Sequence, residues 1–134
     1  TIRILPLDDK VVEWSGGFYY NSDDFVKKHL QDILTAIEEI ESFFGDGPKL
    51  FDDFYGNLCL RRAIERNIEI IGEAMNRILK TDKNIAITNS RKIVDARNYI
   101  IHGYDSLSAD ILWSMVINHL PKLKNEVTSL LGKE

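Results

Sequence analysis

Apolar residues recur along most of the chain at the three- and four-residue spacing of an α-helix. Side chains at this spacing share one face, so each such stripe predicts a helix with one buried side. For the first helix, Ser22 before Asp23 and Asp24 suits the start, and the Gly- and Pro-containing segment 45–48 suits the end. The members of its stripe are Val26, Leu30, Ile33, Ile37, Ile40 and Phe44.

Three further stripes predict three further helices and an all-α fold. One covers about residues 57–80, with 51–55 as its lead-in, and the next covers residues 90–102. The last begins near Ser108 and continues past Pro121, which we expect to kink the helix without ending it. The apolar positions are Leu60, Ile64, Ile68, Ile71, Met75 and Ile78; Ile93, Ala96 and Ile100; and Leu112, Val116, Leu120, Leu123, Val127 and Leu130.

Residues 1–21 differ in kind from the rest. Residues 11–14 and 18–20 are rich in Val and aromatic side chains and flank Gly16 and Gly17, a pattern typical of two short strands joined by a turn. An added arm is an equal alternative. We therefore predict an N-terminal extension or arm over residues 1–21 and one helical domain over residues 22–134.

The composition is that of an ordinary soluble globular protein. The chain has 134 residues, of which 44% are apolar and 28% charged, which suits one domain. No apolar run approaches the roughly 20 residues that span a bilayer, and the first residues do not resemble a secretory signal. Cys59 is the single cysteine, which excludes an internal disulfide and favours a reducing, cytoplasmic location. We expect its thiol to be buried in the core.

The charge pattern neither requires nor excludes a nucleic-acid substrate. A net charge of −4 argues mildly against a non-specific nucleic-acid coat protein but is compatible with a nuclease that has a local cationic groove. Glutamates interleave with the arginines of the second long helix at three- and four-residue distances, which favours a solvated charged face. The residues concerned are Arg61, Arg62, Arg66 and Arg77, with Glu65, Glu69 and Glu73.

Candidate chemistry is concentrated in residues 97–104, whose sequence is RNYIIHGY. Arg97 can stabilise the extra negative charge on a pentavalent phosphorus, and His102 can move a proton. Asn98 lies one helical turn before His102 and can hold a phosphate oxygen or orient the imidazole. Gly103 is typical of the position just past a helix end, where the dipole favours an imidazolium. The spacing alone also fits a surface Arg and a capping His at an ordinary helix end.

One Arg–His pair does not provide all the groups that RNA cleavage needs. Attack by the 2′-hydroxyl requires a base, and departure of the 5′-oxygen requires an acid. A two-fold dimer would bring a second Arg97 and a second His102 to the same cleft.

Residues 97–104 resemble the Arg-x4-His-x-Tyr signature of HEPN-domain toxins of the HepT family. Residues 66–74 (RNIEIIGEA) resemble the second-helix segment of that family, and residues 104–105 and 111–113 match its downstream pattern. The likeness covers about residues 23–131. One departure is Ser90, where the family often has a Trp seven residues before the Arg.

The resemblance implies an up-and-down bundle of four to five helices that works as a homodimeric, metal-independent endoribonuclease toxin on an RNA substrate. It also implies a partner, a minimal nucleotidyltransferase antitoxin that attaches AMP to Tyr104. The added phosphate would occupy the anion site of Arg97 and block RNA. The alternative is a non-catalytic HEPN module that binds nucleotide or a nucleotidyltransferase partner. A purely structural bundle without a ligand is a third possibility.

We expect neither a metal site nor a cofactor. His29, His102 and His119 are scattered along the sequence, and the pair Asp52 and Asp53 lacks a partner at ligand spacing. His29 and His119 lie close to apolar stripes, which favours hydrogen-bonded histidines at the edge of the core.

Overall fold

The computed structural model of the chain describes residues 12–14, 17–19, 22–102 and 109–132. Strands β1 (Val12–Trp14) and β2 (Gly17–Tyr19) pair antiparallel ahead of the helices, as the pattern of residues 11–20 predicted. The helices are α1 (Ser22–Phe43), α2 (Phe51–Tyr55), α3 (Leu58–Thr81), α4 (Ser90–Ile101), α5 (Ala109–Ser114) and α6 (Leu120–Leu131), and a π-helical turn (Met115–His119) joins α5 to α6. The predicted all-α bundle is confirmed.

The apolar stripes form one continuous core. Helix α3 packs against α1 on one side and α4 on the other, and α1 also packs against α6. Asn67, like His29, is a buried polar residue, and its amide donates to the Ala36 carbonyl (3.2 Å) and to Glu39 (2.9 Å), which ties α3 to α1. The largest side chains that are almost fully buried are Phe54, Ile33, Ile37, Ile40, Ile64, Ile68, Ile71, Met75, Ile78, Leu123 and Val127.

The last helical segment continues past Pro121, but its regular hydrogen bonding is interrupted. Proline lacks an N–H, and in a regular α-helix its ring would clash with the carbonyl of Ile117, four residues earlier. The π-helical turn Met115–His119 lies directly before Pro121 and takes up this distortion. Leu120, Leu123 and Val127 remain buried beyond it, as the stripe predicted.

The prediction for Cys59 was wrong. The residue lies in the first turn of α3, and its side chain is exposed. Leu60, not Cys59, begins the apolar stripe of this helix, and neighbouring residues point about 100° apart. Among the helices that the structure describes, none is long and apolar enough to cross a membrane.

Candidate functional site

Helix α4 runs back along α3, and this arrangement positions Arg97. The start of α4, at Arg91, lies near Asn76 and Leu79, and Arg97 faces Gly72 further back along α3. A β-carbon built on Gly72 would lie only 2.2 Å from the β-carbon of Arg97 and 3.1 Å from the Ile93 carbonyl oxygen. The missing side chain at Gly72 therefore allows the two helices to approach closely where Arg97 leaves the backbone.

Arg97 is held by two oxygen acceptors. Its Nη2 lies 2.7 Å from Oε1 of Glu73, and its Nη1 donates to Oδ1 of Asn98 at 2.8 Å. The Nε–H is buried and has no hydrogen-bond partner among the described residues. Among the five N–H donors of the guanidinium, the Nε–H is therefore the buried one that remains to be satisfied.

Glu73 is shared between two arginines. While Oε1 forms an ion pair with Nη2 of Arg97, Oε2 accepts a hydrogen bond from Nε of Arg77 at 3.0 Å. The three side chains carry a net charge of +1, so the carboxylate does not cancel the positive charge of the group. They line a pocket of about 490 Å³ between α1, α3 and α4, together with His29, Asp32, Arg66, Glu69, Ile70, Ala74 and Ile101.

His102 lies on a different side of α4. It caps the C-terminal end of the helix, where its backbone N–H donates to the Asn98 carbonyl, so the predicted helix end is confirmed. Its exposed side chain lines a depression of about 530 Å³ with Asp95, Asn98 and Tyr99. Residues five apart on a helix point about 140° apart, which explains why Arg97 lines the other pocket.

Asn98 is the residue that joins the two sides. Its Oδ1 accepts from Arg97, while its side chain lines the depression that contains His102. The structure therefore brings Arg97 and Asn98 into contact. His102 shares a depression with Asn98 but not with Arg97. Gly103 and Tyr104 lie outside the described residues, so the predicted modification site stays a prediction.

An exposed apolar surface borders the His102 depression. Tyr99 and Ile111 are each 48% exposed, whereas Ile101, which is 43% exposed, lines the Arg97 pocket instead. Tyr99 and Ile111 also line a groove of about 470 Å³ between α4 and α5, whose floor includes Ala96 and Met115. Large apolar side chains grouped in this way are typical of a surface that another molecule covers.

The two other histidines have separate surroundings. His29 is buried in α1, donates from Nδ1–H to the Phe25 carbonyl at 2.9 Å, and packs against the Phe25 ring. Burial lowers the pKa of its imidazole below the ordinary value, and this effect outweighs the hydrogen bond to Phe25, which raises it. His119 is half-buried beside the α4–α5 groove. Within the described ranges, no three His, Cys, Asp or Glu residues come together as metal ligands.

The arginines of α3 divide into two groups. Arg62 and Arg66 are highly exposed and pair with Glu65 and Glu69 three residues later, as expected for a solvated charged face. Arg77 does not follow this pattern, because its partner Glu73 also binds Arg97 on the next helix. Sequence reasoning assigned no role to Gly72 and placed Glu73 on a solvated charged face, whereas Glu73 contacts Arg97. A glycine inside an apolar helical stripe was the available signal, since it costs about 1 kcal/mol relative to Ala and indicates a close contact.

Comparisons with known proteins identify the family. The sequence profile described as "Ribonuclease HepT-like" matches residues 33–130. A protein provisionally named as an RNase in Methanocaldococcus jannaschii is 35% identical over 104 residues, which cover 76% of this chain and 93% of that protein. A protein provisionally named as an RNase in Caldanaerobacter subterraneus subsp. tengcongensis is 33% identical, covering 82% of this chain and 94% of that protein.

A third relative, named probable ribonuclease HepT, comes from Thermococcus cleftensis. It is 33% identical over 105 residues, which cover 78% of this chain and 94% of that protein. No solved structure matches the chain.

Proposed function

Because the chain belongs to the ribonuclease HepT-like family, we propose that it is a metal-independent endoribonuclease that cleaves RNA at a cleft between two copies. The observation that carries this proposal is the arrangement of one helix end. Arg97 presents a guanidinium with an unsatisfied donor, Asn98 contacts it, and His102 caps the same helix with an exposed imidazole.

In the proposed reaction, one His102 accepts the proton of the ribose 2′-hydroxyl as the 2′-oxygen attacks phosphorus. The bond from phosphorus to the 5′-oxygen breaks, and the second copy's His102 donates a proton to that oxygen. Arg97 stabilises the charge that develops on the non-bridging oxygens, and Asn98 holds Arg97 in place. The products carry a 2′,3′-cyclic phosphate and a free 5′-hydroxyl.

Two copies are needed because Arg97 and His102 face different sides of α4 within one chain. The exposed Tyr99 lines the His102 depression and shares the neighbouring groove with the exposed Ile111, so these two side chains offer an apolar surface for a two-fold contact. Such a contact would place each His102 next to the Arg97 region of the other chain.

The biological setting is part of the same proposal. The enzyme is the toxin of a two-gene toxin–antitoxin system, and its partner is a minimal nucleotidyltransferase that attaches AMP to Tyr104. Tyr104 follows His102 by two positions, so the added phosphate could reach the anion site of Arg97. Tyr104→Phe should remain an active nuclease, and incubation with the transferase, ATP and divalent metal should neither silence it nor add the mass of an adenylyl group.

The direct test is cleavage of RNA by the purified protein in the presence of a chelator. We expect cleavage to persist, to leave cyclic phosphate ends and to be lost in His102→Ala. Arg97→Ala should reduce the rate by roughly 100-fold or more, since it removes charge stabilisation in the transition state. RNA or nucleotide binding without cleavage would instead support a non-catalytic module that binds nucleotide or a nucleotidyltransferase.

A further inference from the structure

Glu73 contacts Arg97 through only one of its two carboxylate oxygens. An arginine and a carboxylate usually pair through two parallel hydrogen bonds, which use both carboxylate oxygens. Here Nη2 of Arg97 forms an ion pair with Oε1 of Glu73 alone, and the buried Nε–H of Arg97 has no partner among the described residues. A buried donor left in this state is unfavourable, so something must prevent the second hydrogen bond from forming.

The second carboxylate oxygen is held by Arg77. Its Nε donates to Oε2 of Glu73 at 3.0 Å, from one turn further along α3. Arg77 and Glu73 share that helix, whereas Arg97 reaches Glu73 from α4. Glu73 therefore contacts Arg97 through one oxygen only, the Arg97 side chain remains 24% exposed, and Arg77 restores the positive charge that Glu73 cancels.

We propose that Arg77 is a positioning residue that keeps Arg97 available for the phosphate of RNA by retaining one oxygen of Glu73. This inference rests on the proposed ribonuclease function, because it concerns the same Arg97. Without Arg77, Glu73 would rotate onto Arg97, make both hydrogen bonds and neutralise it. A phosphate oxygen would then have to compete with a bidentate carboxylate.

The test is a double-mutant cycle on RNA binding. The probe is a 2′-O-methyl oligoribonucleotide, which lacks the attacking hydroxyl and cannot be cleaved. Arg77→Met should weaken binding by about five- to tenfold, comparable to the loss of one charge-assisted contact. In the Glu73→Gln background the same substitution should change binding less than about twofold, because no carboxylate remains to close onto Arg97.

A matched control is Arg62→Met on the same helix. Arg62 also pairs with a glutamate on α3, but it does not line the Arg97 pocket. This variant should bind the probe as the unmodified chain does. Thermal unfolding of all variants, followed by circular dichroism, shows whether the helices remain intact. In NMR spectra, the Nε–H resonance of Arg97 should shift on probe binding in the unmodified chain and in the Glu73→Gln variants. It should not shift in Arg77→Met alone.

Three results would overturn the inference: no binding of the probe by the unmodified chain, no loss in Arg77→Met, or an equal loss with and without Glu73. The last result would mean that Arg77 acts on RNA or on the fold directly. Failure of the ribonuclease proposal looks different, because the unmodified chain would then bind the probe but leave ordinary RNA intact. In that case the binding cycle still decides the role of Arg77.

Discussion

Burial of one imidazole makes the folding of this protein sensitive to pH. The pKa of His29 is lowered in the folded state, mainly by burial, while Asp32 opposes the shift and Lys28 and Arg77 add to it. Well above the ordinary pKa of about 6.5 the residue is neutral in both states and contributes nothing to the pH dependence. Below that pH, the unfolded chain takes up a proton that the folded chain does not, so the free energy of unfolding falls.

The expected fall attributable to His29 is at most about 1.4 kcal/mol per pH unit, the limit for a single proton. Urea unfolding between pH 5 and pH 8, on the unmodified chain and on His29→Gln, measures it. The variant should lose this part of the slope, whereas His119→Gln, altered at a half-buried histidine outside the Arg97 pocket, should retain it. Equal slopes in all three proteins would show that His29 does not titrate with unfolding.

Substitution of Glu73 is expected to lower the catalytic rate without weakening RNA binding. Glu73→Gln keeps the size of the side chain but removes the charge that orients Arg97. RNA should bind at least as tightly, because the pocket becomes more positive, while kcat falls by about tenfold since Arg97 is less well held. Separate measurement of kcat and KM checks this, with Glu65→Gln as the control because Glu65 pairs only with exposed Arg62 among the contacts described. A parallel rise in KM would contradict it.

Only part of the candidate site could be predicted from the sequence. Arg97, Asn98 and His102 are close in sequence, so the helix end beside them could be predicted from local spacing, while their chemical roles stay a prediction. The contact between Glu73 and Arg97 joins residues 24 positions apart, and it depends on how α4 is aligned along α3. That alignment is set by packing around Gly72, which a list of residue types does not reveal.

At the scale of the helices, α3 and α4 approach each other closely at Gly72, so a larger residue there should force them apart. In Gly72→Ala the added methyl would collide with the β-carbon of Arg97, so α4 must shift. We expect the free energy of unfolding to fall by about 1–3 kcal/mol and cleavage to fall with it, because Arg97 moves relative to Glu73. Gly47→Ala is the matched control, since its β-carbon would meet nothing within 4 Å.

Both quantities can be measured on the same preparations by urea unfolding and RNA cleavage. If Gly72→Ala is as stable and active as Gly47→Ala, the close approach of α3 and α4 at Arg97 is not required for stability or for cleavage.

The apolar stripes predicted the long helices well because burial of one face dominates helix placement. They could not predict the π-helical turn before Pro121, since its form depends on how the backbone relieves a local clash.

The whole molecule is expected to function as a pair of chains. A second copy would cover the exposed apolar surface, and it would also supply a further Arg97 and His102 to the cleft. Tyr99 lines the His102 depression and shares the α4–α5 groove with Ile111; both side chains are exposed, and a second copy would cover them. Ile111→Asp would introduce a charge that is costly to bury, so this variant should dissociate into monomers and lose cleavage together. Sedimentation velocity and cleavage rates across a range of protein concentrations measure the two effects.

The control is Leu58→Asp, which changes an equally exposed apolar residue at the start of α3, outside that groove. It should leave both association and cleavage unchanged. Because the catalytic groups are proposed to come from both chains, the rate per chain should fall on dilution with the same midpoint as the dimer fraction. An Ile111→Asp monomer that still cleaves RNA at the original rate would show that one chain supplies both the base and the acid.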